Sequence, residues 1–170
     1  MKGARYLTGA GAVLALSVLL SFIHPWGNLR TSAQTGGVIL AGVDVPADVR
    51  QVLETKCSDC HSANTHWPLY GRMAPGSWLM ERDVHEGREH LNLSNWQQYD
   101  LETQAGLLTK IGSEARSGQM PVKQYLLLHP QARLTPAEQQ LLYGWARTER
   151  KRVRAQQAQQ AQGEASEEKK

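Results

Sequence analysis

Phenylalanine is nearly missing from this chain of 170 residues, with Phe22 the single copy, and cysteine occurs only twice. No stretch alternates apolar and polar residues as a half-buried strand does, so the chain reads as all-α. No internal repeat is present. The net charge is a modest +3, and the basic residues are scattered or paired with acids, as in "ERDVHEGREH". No basic stripe with interleaved aromatics occurs, which removes nucleic acid as a partner. Asp83 and His85 in "RDVHEGR" have the makings of acid and base chemistry. No nucleophile, carboxylate dyad or oxyanion donor accompanies them, so they read as structural and the chain is not expected to be an enzyme.

There is one long apolar run. Lys2 and Arg5 precede "LTGAGAVLALSVLLSFI" from Leu7 to Ile23, which reads as an export signal. Its length sits at the low edge of the 17 to 25 or so residues that span a bilayer, so residues 1–27 are either a membrane anchor or a signal peptide. The anchor is favoured. A cleavage site at "TSAQ" matches poorly. The basic residues keep the N-terminus cytoplasmic, and Trp26 suits the far interface. The rest of the chain is then expected on the periplasmic side of a bacterial inner membrane, or free in the periplasm if the signal is removed. Residues 28–44 are rich in Gly, Ser and Thr and read as a linker. After it come a domain over 45–150 and a polar, partly disordered tail over 151–170. Within the domain, helices are expected after Pro46 with Val49, Val52 and Leu53 on one face, around Ser77 to Arg88, from Leu101 to Ala115, and from "TPAE", where Thr135 and Glu138 form a capping box.

Both cysteines fall in "CSDCHSANTHWPLY", residues 57–70. A disulfide across two residues closes a very short loop and adds little stability. A thioredoxin-like redox pair needs a βαβ setting that is absent. Zinc is the more serious metal alternative, since Cys57, Cys60, His61 and His66 supply ligands, and a zinc-stabilised interaction module is one reading. Adjacent Cys60 and His61, however, do not reach one tetrahedral ion easily, and a second ligand pair normally lies on a distant segment. Cys-x-x-Cys-His fits covalent haem c best: two thiols add across two vinyl groups, and the next residue's imidazole comes to lie under the iron. One covalent haem, held by Cys57, Cys60 and His61, is the expected cofactor.

The likeness extends beyond the pentapeptide. Trp67-Pro68-x-Tyr70, Ala74-Pro75-x-Ser77-Trp78, Asp83-Val84-x-x-Gly87-Arg88 and Leu91-Asn92-x-Ser94-x-Trp96, with "GQMP" and "YLLLHPQARLT" further on, resemble the bacterial haem-binding domain family over about Val45 to Arg147. That family comprises small exported or membrane-anchored c-type cytochrome proteins. The resemblance implies a helical, cytochrome c-like fold and haem binding. Two positions depart from the family pattern, which usually has Asn where Ala63 stands and Phe where Leu93 stands; these touch contacts around the haem rather than its attachment.

Opposite His61, Met120 of Met120-Pro121 is the best distal ligand, in an irregular stretch after a helix, and a thioether there raises the reduction potential. The alternatives are Met73, Met80, a histidine among His66, His85, His90 and His129, an open site, or Met120 as plain core filling. Trp67 and Tyr70, with Trp78, Trp96, Trp145 and Tyr125, are candidates to pack on the haem, though core packing explains them equally well. Arg88, ahead of Arg72 and Arg82, is the candidate for a haem propionate. The function expected is single-electron transfer with a redox protein partner. The principal rival is a haem sensor or peroxidase-like protein with an open distal position.

Overall fold

The computed structural model describes residues 2–30 and 37–167. Seven α-helices occur among the described residues: α1 (Lys2–Leu20), α2 (Ala47–Lys56), α3 (Ser58–His61), α4 (Gly76–His90), α5 (Leu101–Ser117), α6 (Lys123–Leu128) and α7 (Pro136–Glu167). Short 3₁₀ turns lie at Leu69–Arg72, Leu93–Gln98 and Pro130–Ala132, and no strand is found among the described residues. The all-α expectation holds.

The two longest domain helices, α5 and α7, pack along each other. Arg116 lies over the ring of Tyr143 at 4.6 Å, Gly112 sits against Tyr143 and Ala146, and Arg150 Nη1 donates to Thr109 Oγ1 at 3.1 Å. Rising numbers on α7 meet falling numbers on α5, so the pair is antiparallel. The stripe Ala105, Leu108 and Ile111 of α5 is buried, as its helical spacing predicts, and Leu142, Trp145 and Ala146 of α7 complete the core. Both helices are capped by their own sequence. Asp100 Oδ1 accepts from Thr103 N at 2.7 Å, and Gly118 closes α5 with φ +70°, where a Cβ would be strained. The predicted capping box forms at α7, with Thr135 Oγ1 accepting from Glu138 N and Glu138 Oε2 accepting from Thr135 N. Val49, Val52 and Leu53 of α2 pack onto the same core.

Two expectations for the flanking segments need correction. First, no helix among the described residues is long and apolar enough to cross a membrane. Instead of running through Leu7 to Ile23, α1 ends at Leu20. The end of α1 and the turn after it dock on the domain. Ser17 Oγ donates to Ala74 O and Ser21 Oγ accepts from Ala74 N at 2.8 Å. Trp78 Nε1 donates to Ile23 O at 2.7 Å, and His24 Nδ1 meets Glu81 Oε1 at 2.6 Å. The candidate cleavage site from Thr31 to Gln34 lies outside the described residues.

Second, the stretch read as a linker over 28–44 contributes to the core. Ile39 and Leu40 are buried, and Leu40 N donates to Leu93 O at 2.9 Å. The Gly and Thr content around them masked the short apolar run Val38-Ile39-Leu40. Leu40 holds φ +52°, a conformation that costs a branched residue about 1–2 kcal/mol and that its complete burial offsets. The polar tail is helical as far as Glu167, because Ala, Gln, Glu, Arg and Lys are strong helix formers. Val153 is wholly buried, and Glu149 is buried against the guanidinium of Arg152. Past Val153 the helix is exposed on all sides.

Candidate functional site

A cavity of about 520 Å³ lies between the α2–α3 corner, the C-terminal half of α4, α5 and the chain from Met120 to Tyr125. That is an ordinary size for a cofactor site. Its walls are mainly aliphatic, with Leu53, Leu93, Leu107, Ile111, Leu134 and Leu142 among the lining residues. Cys57, Cys60 and His61 line it, and so does Met120, although some sixty residues separate them along the chain.

The helical break between α2 and α3 presents the motif. Cys57 closes α2, its N–H bonded to Leu53 O, and His61 N donates to Cys57 O at 3.0 Å, so the pentapeptide forms one tight turn. Asp59 braces that turn from outside: its Oδ1 accepts from His66 N at 2.9 Å and its backbone oxygen from Thr65 Oγ1 at 2.6 Å. Neither cysteine is in a disulfide. Burial pushes the Cys57 thiol up to about 12; burial does the same to Cys60, helped by the charges of Asp83 and Asp59. Such thiols are uncharged at physiological pH, in keeping with a neutral thioether in an apolar wall. No group of three or more His, Cys, Asp or Glu side chains among the described residues converges as a metal site.

His61 is oriented through its inner nitrogen. Nδ1 lies 2.9 Å from Gly87 O and 3.0 Å from Leu91 O, so Nδ1–H is the donor and the lone pair is left on Nε2. Backbone carbonyls fixing a histidine tautomer in this way are the usual outer support of a metal-bound imidazole. Burial lowers the pKa of His61 against the opposing pull of these two carbonyls, which keeps the ring neutral and able to coordinate. Gly87 makes this approach possible. A Cβ on it would stand 2.7 Å from Cys60 O and 3.1 Å from Cys60 Cβ. Gly87 was not among the site residues read from the sequence; its signal was the Gly-Arg pair one helical turn before Leu91.

The remaining site candidates are placed elsewhere. Arg88 donates from Nε to Ser62 O at 2.8 Å and from Nη2 to Thr65 Oγ1 at 2.9 Å, clamping the loop after the motif rather than lining the cavity. Trp67 lines a separate shallow surface depression with Arg30, Thr65, His66 and Arg72. Tyr70 hydrogen-bonds His129 Nε2 through its hydroxyl at 2.5 Å. No tryptophan among the described residues lines the cavity; the aromatic side chain that does is Tyr125. Trp96 is instead a core residue, set edge-on to Tyr99. Among the alternative ligands, His90 lines the cavity, whereas His85 pairs with Glu89 and His129 stacks on Tyr125. Met80 packs against Gly71, away from the cavity. Leu93, where the family resemblance would have Phe, is fully buried and forms part of the cavity wall.

A cavity with apolar walls, two uncharged thiols at its edge and a neutral imidazole with Nε2 free is a donor set that fits haem. Comparison with curated proteins gives no match, and comparison with solved structures gives none. The model of the haem-binding domain family matches residues 15–148, starting thirty residues before the domain start read from the sequence and taking in the docked end of α1. The chain therefore belongs to the haem-binding domain family.

Proposed function

We propose that the chain is a c-type cytochrome that carries single electrons on the periplasmic side of the inner membrane. One haem is held covalently by Cys57 and Cys60, and its iron is ligated by His61 and Met120. When bound, the haem supplies a one-electron couple. The protein's share is to present Nε2 of a neutral His61, to exclude water with the aliphatic walls, and to bring Met120 to the same cavity. The observation that carries this reading is the His61 ring, held through Nδ1 by Gly87 O and Leu91 O beside two free thiols.

The export signal supports the location, with Lys2 and Arg5 ahead of an apolar stretch whose Val13, Leu14, Leu16 and Leu19 are exposed. The sensor or peroxidase-like alternative draws on one observation, that Met120 is 38% exposed and so is not sealed over the cavity. The deciding experiment is expression with the c-type maturation machinery. The denatured protein should keep its red colour, carry the mass of one haem and give the spectrum of two thioether links. Colour that extracts into acidified acetone, or stoichiometric zinc, overturns the proposal.

A further inference from the structure

α6 forms one wall of the cavity mouth and closely follows Met120, yet none of its six residues is buried. Leu127 is 82% exposed and Leu128 54%. Apolar packing therefore holds this helix only through half-buried Tyr125 and Leu126. On its N-terminal side it is joined to α5 through Gly118, whose φ of +70° is a glycine conformation, and through Gln119 N and Met120 N, which share Glu114 O at 3.2 and 3.4 Å.

One polar bond ties α6 to the opposite wall: Tyr125 Oη donates to Asp59 Oδ2 at 3.0 Å. Asp59 stands between Cys57 and Cys60, so its carboxylate is fixed to the attachment turn itself. The Tyr125 ring is also set in place by stacking on His129, with centroids 4.3 Å apart and planes 15° apart.

We propose that Asp59 acts as a clasp that, through Tyr125, closes α6, and with it Met120, over the cavity, making Tyr125 a positioning residue for the distal side. The clasp deepens the proposed electron-carrier reading and rests on it only for the role of Met120. Because this carboxylate belongs to the turn that carries Cys57 and Cys60, closure is measured from the attachment turn and not from the core.

The test is hydrogen exchange on the full chain, as apoprotein and as holoprotein, comparing wild type with Tyr125→Phe, which keeps the stacked ring and removes the hydroxyl. Loss of a hydrogen bond to a carboxylate should speed exchange over residues 119–129 about tenfold to a hundredfold, with α5 and α7 unchanged. Asp59→Asn, which keeps an acceptor oxygen, should restore most of the protection that Asp59→Ala loses. Unchanged exchange over 119–129 in Tyr125→Phe overturns the clasp, as does an equal rise across α5 and α7, which would make Tyr125 a general stabiliser. In the ferrous holoprotein, Tyr125→Phe should bind carbon monoxide faster than wild type. If Met120→Ala leaves the ferric spectrum unaltered, the distal-ligand reading fails while the exchange data still decide the clasp.

Discussion

His61 and Gly87 are held together by a 2.9 Å hydrogen bond from the imidazole Nδ1 to the backbone oxygen of Gly87, and there is no room for a side chain on Gly87 beside it. A Cβ there would lie 2.7 Å from Cys60 O, a backbone atom that cannot swing aside. Gly87→Ala must therefore push α4 away from the attachment turn and lengthen the His61 bond. The variant is expected to lose about 1–3 kcal/mol of apoprotein stability and much of its haem loading, read by urea unfolding and by the haem-to-protein absorbance ratio. Retention of full loading would show that the contact between α3 and α4 does not set the ligand.

Burial lowers the pKa of His61 in the folded chain. Above the unfolded value of about 6.5 the ring is neutral in both states. As pH falls below that value the unfolded chain takes up a proton that the folded one resists, so the stability tied to His61 is lost on acidification. Apoprotein should be less stable at pH 5 than at pH 7, and His61→Gln should flatten that difference. Equal pH slopes for the two proteins would rule out a buried neutral imidazole.

Thiols pushed to about 12 are almost entirely protonated at pH 8. Folded apoprotein should react with iodoacetamide at least about a hundredfold more slowly than free cysteine, and denaturation should abolish the difference. Rapid alkylation of the folded apoprotein would mean that the cavity edge is wetter than its aliphatic lining implies.

Met120 lines the same cavity as His61. In the ferric holoprotein we expect the weak near-infrared sulfur-to-iron band, lost in Met120→Ala together with a fall in reduction potential. His90 is the histidine besides His61 that lines the cavity, and an unchanged spectrum in Met120→Ala makes His90→Ala the next variant.

Glu81 is 2% exposed, its Oε1 bonded to His24 and its Oε2 without a hydrogen-bond partner. Removing the imidazole leaves a buried carboxylate with no partner. His24→Ala should cost about 3 kcal/mol, seen in thermal or urea unfolding. The double variant His24→Ala/Glu81→Leu should recover much of that loss, since an apolar replacement removes the buried charge. An unaffected single variant would mean that the end of α1 is not part of the folded domain.

The local features of this chain were legible in its sequence for local reasons. Helical spacing gave the buried faces of α2 and α5, the Thr135–Glu138 box gave the start of α7, and Cys57, Cys60 and His61 pointed to haem because their chemistry requires that spacing. Contacts across the fold were decided only by tertiary packing. Arg88 is turned onto Ser62 O and Thr65 Oγ1, away from the cavity lining. The tryptophans went to the core, the surface and the α1 contact, leaving the cavity wall to leucines, several of them from α2, α5 and α7. Ile39 and Leu40 became core although their neighbours look like a linker, because α2, α5 and α7 left an apolar surface for them to cover. Gly87 became a site residue through its contact with Cys60, far from it along the chain, and Tyr125, an aromatic candidate from the sequence, found its partner in Asp59. A spacing rule reports which residues share a helix face, whereas hydrogen-bond partners and cavity walls depend on which faces meet, and that is fixed only once the whole core has closed.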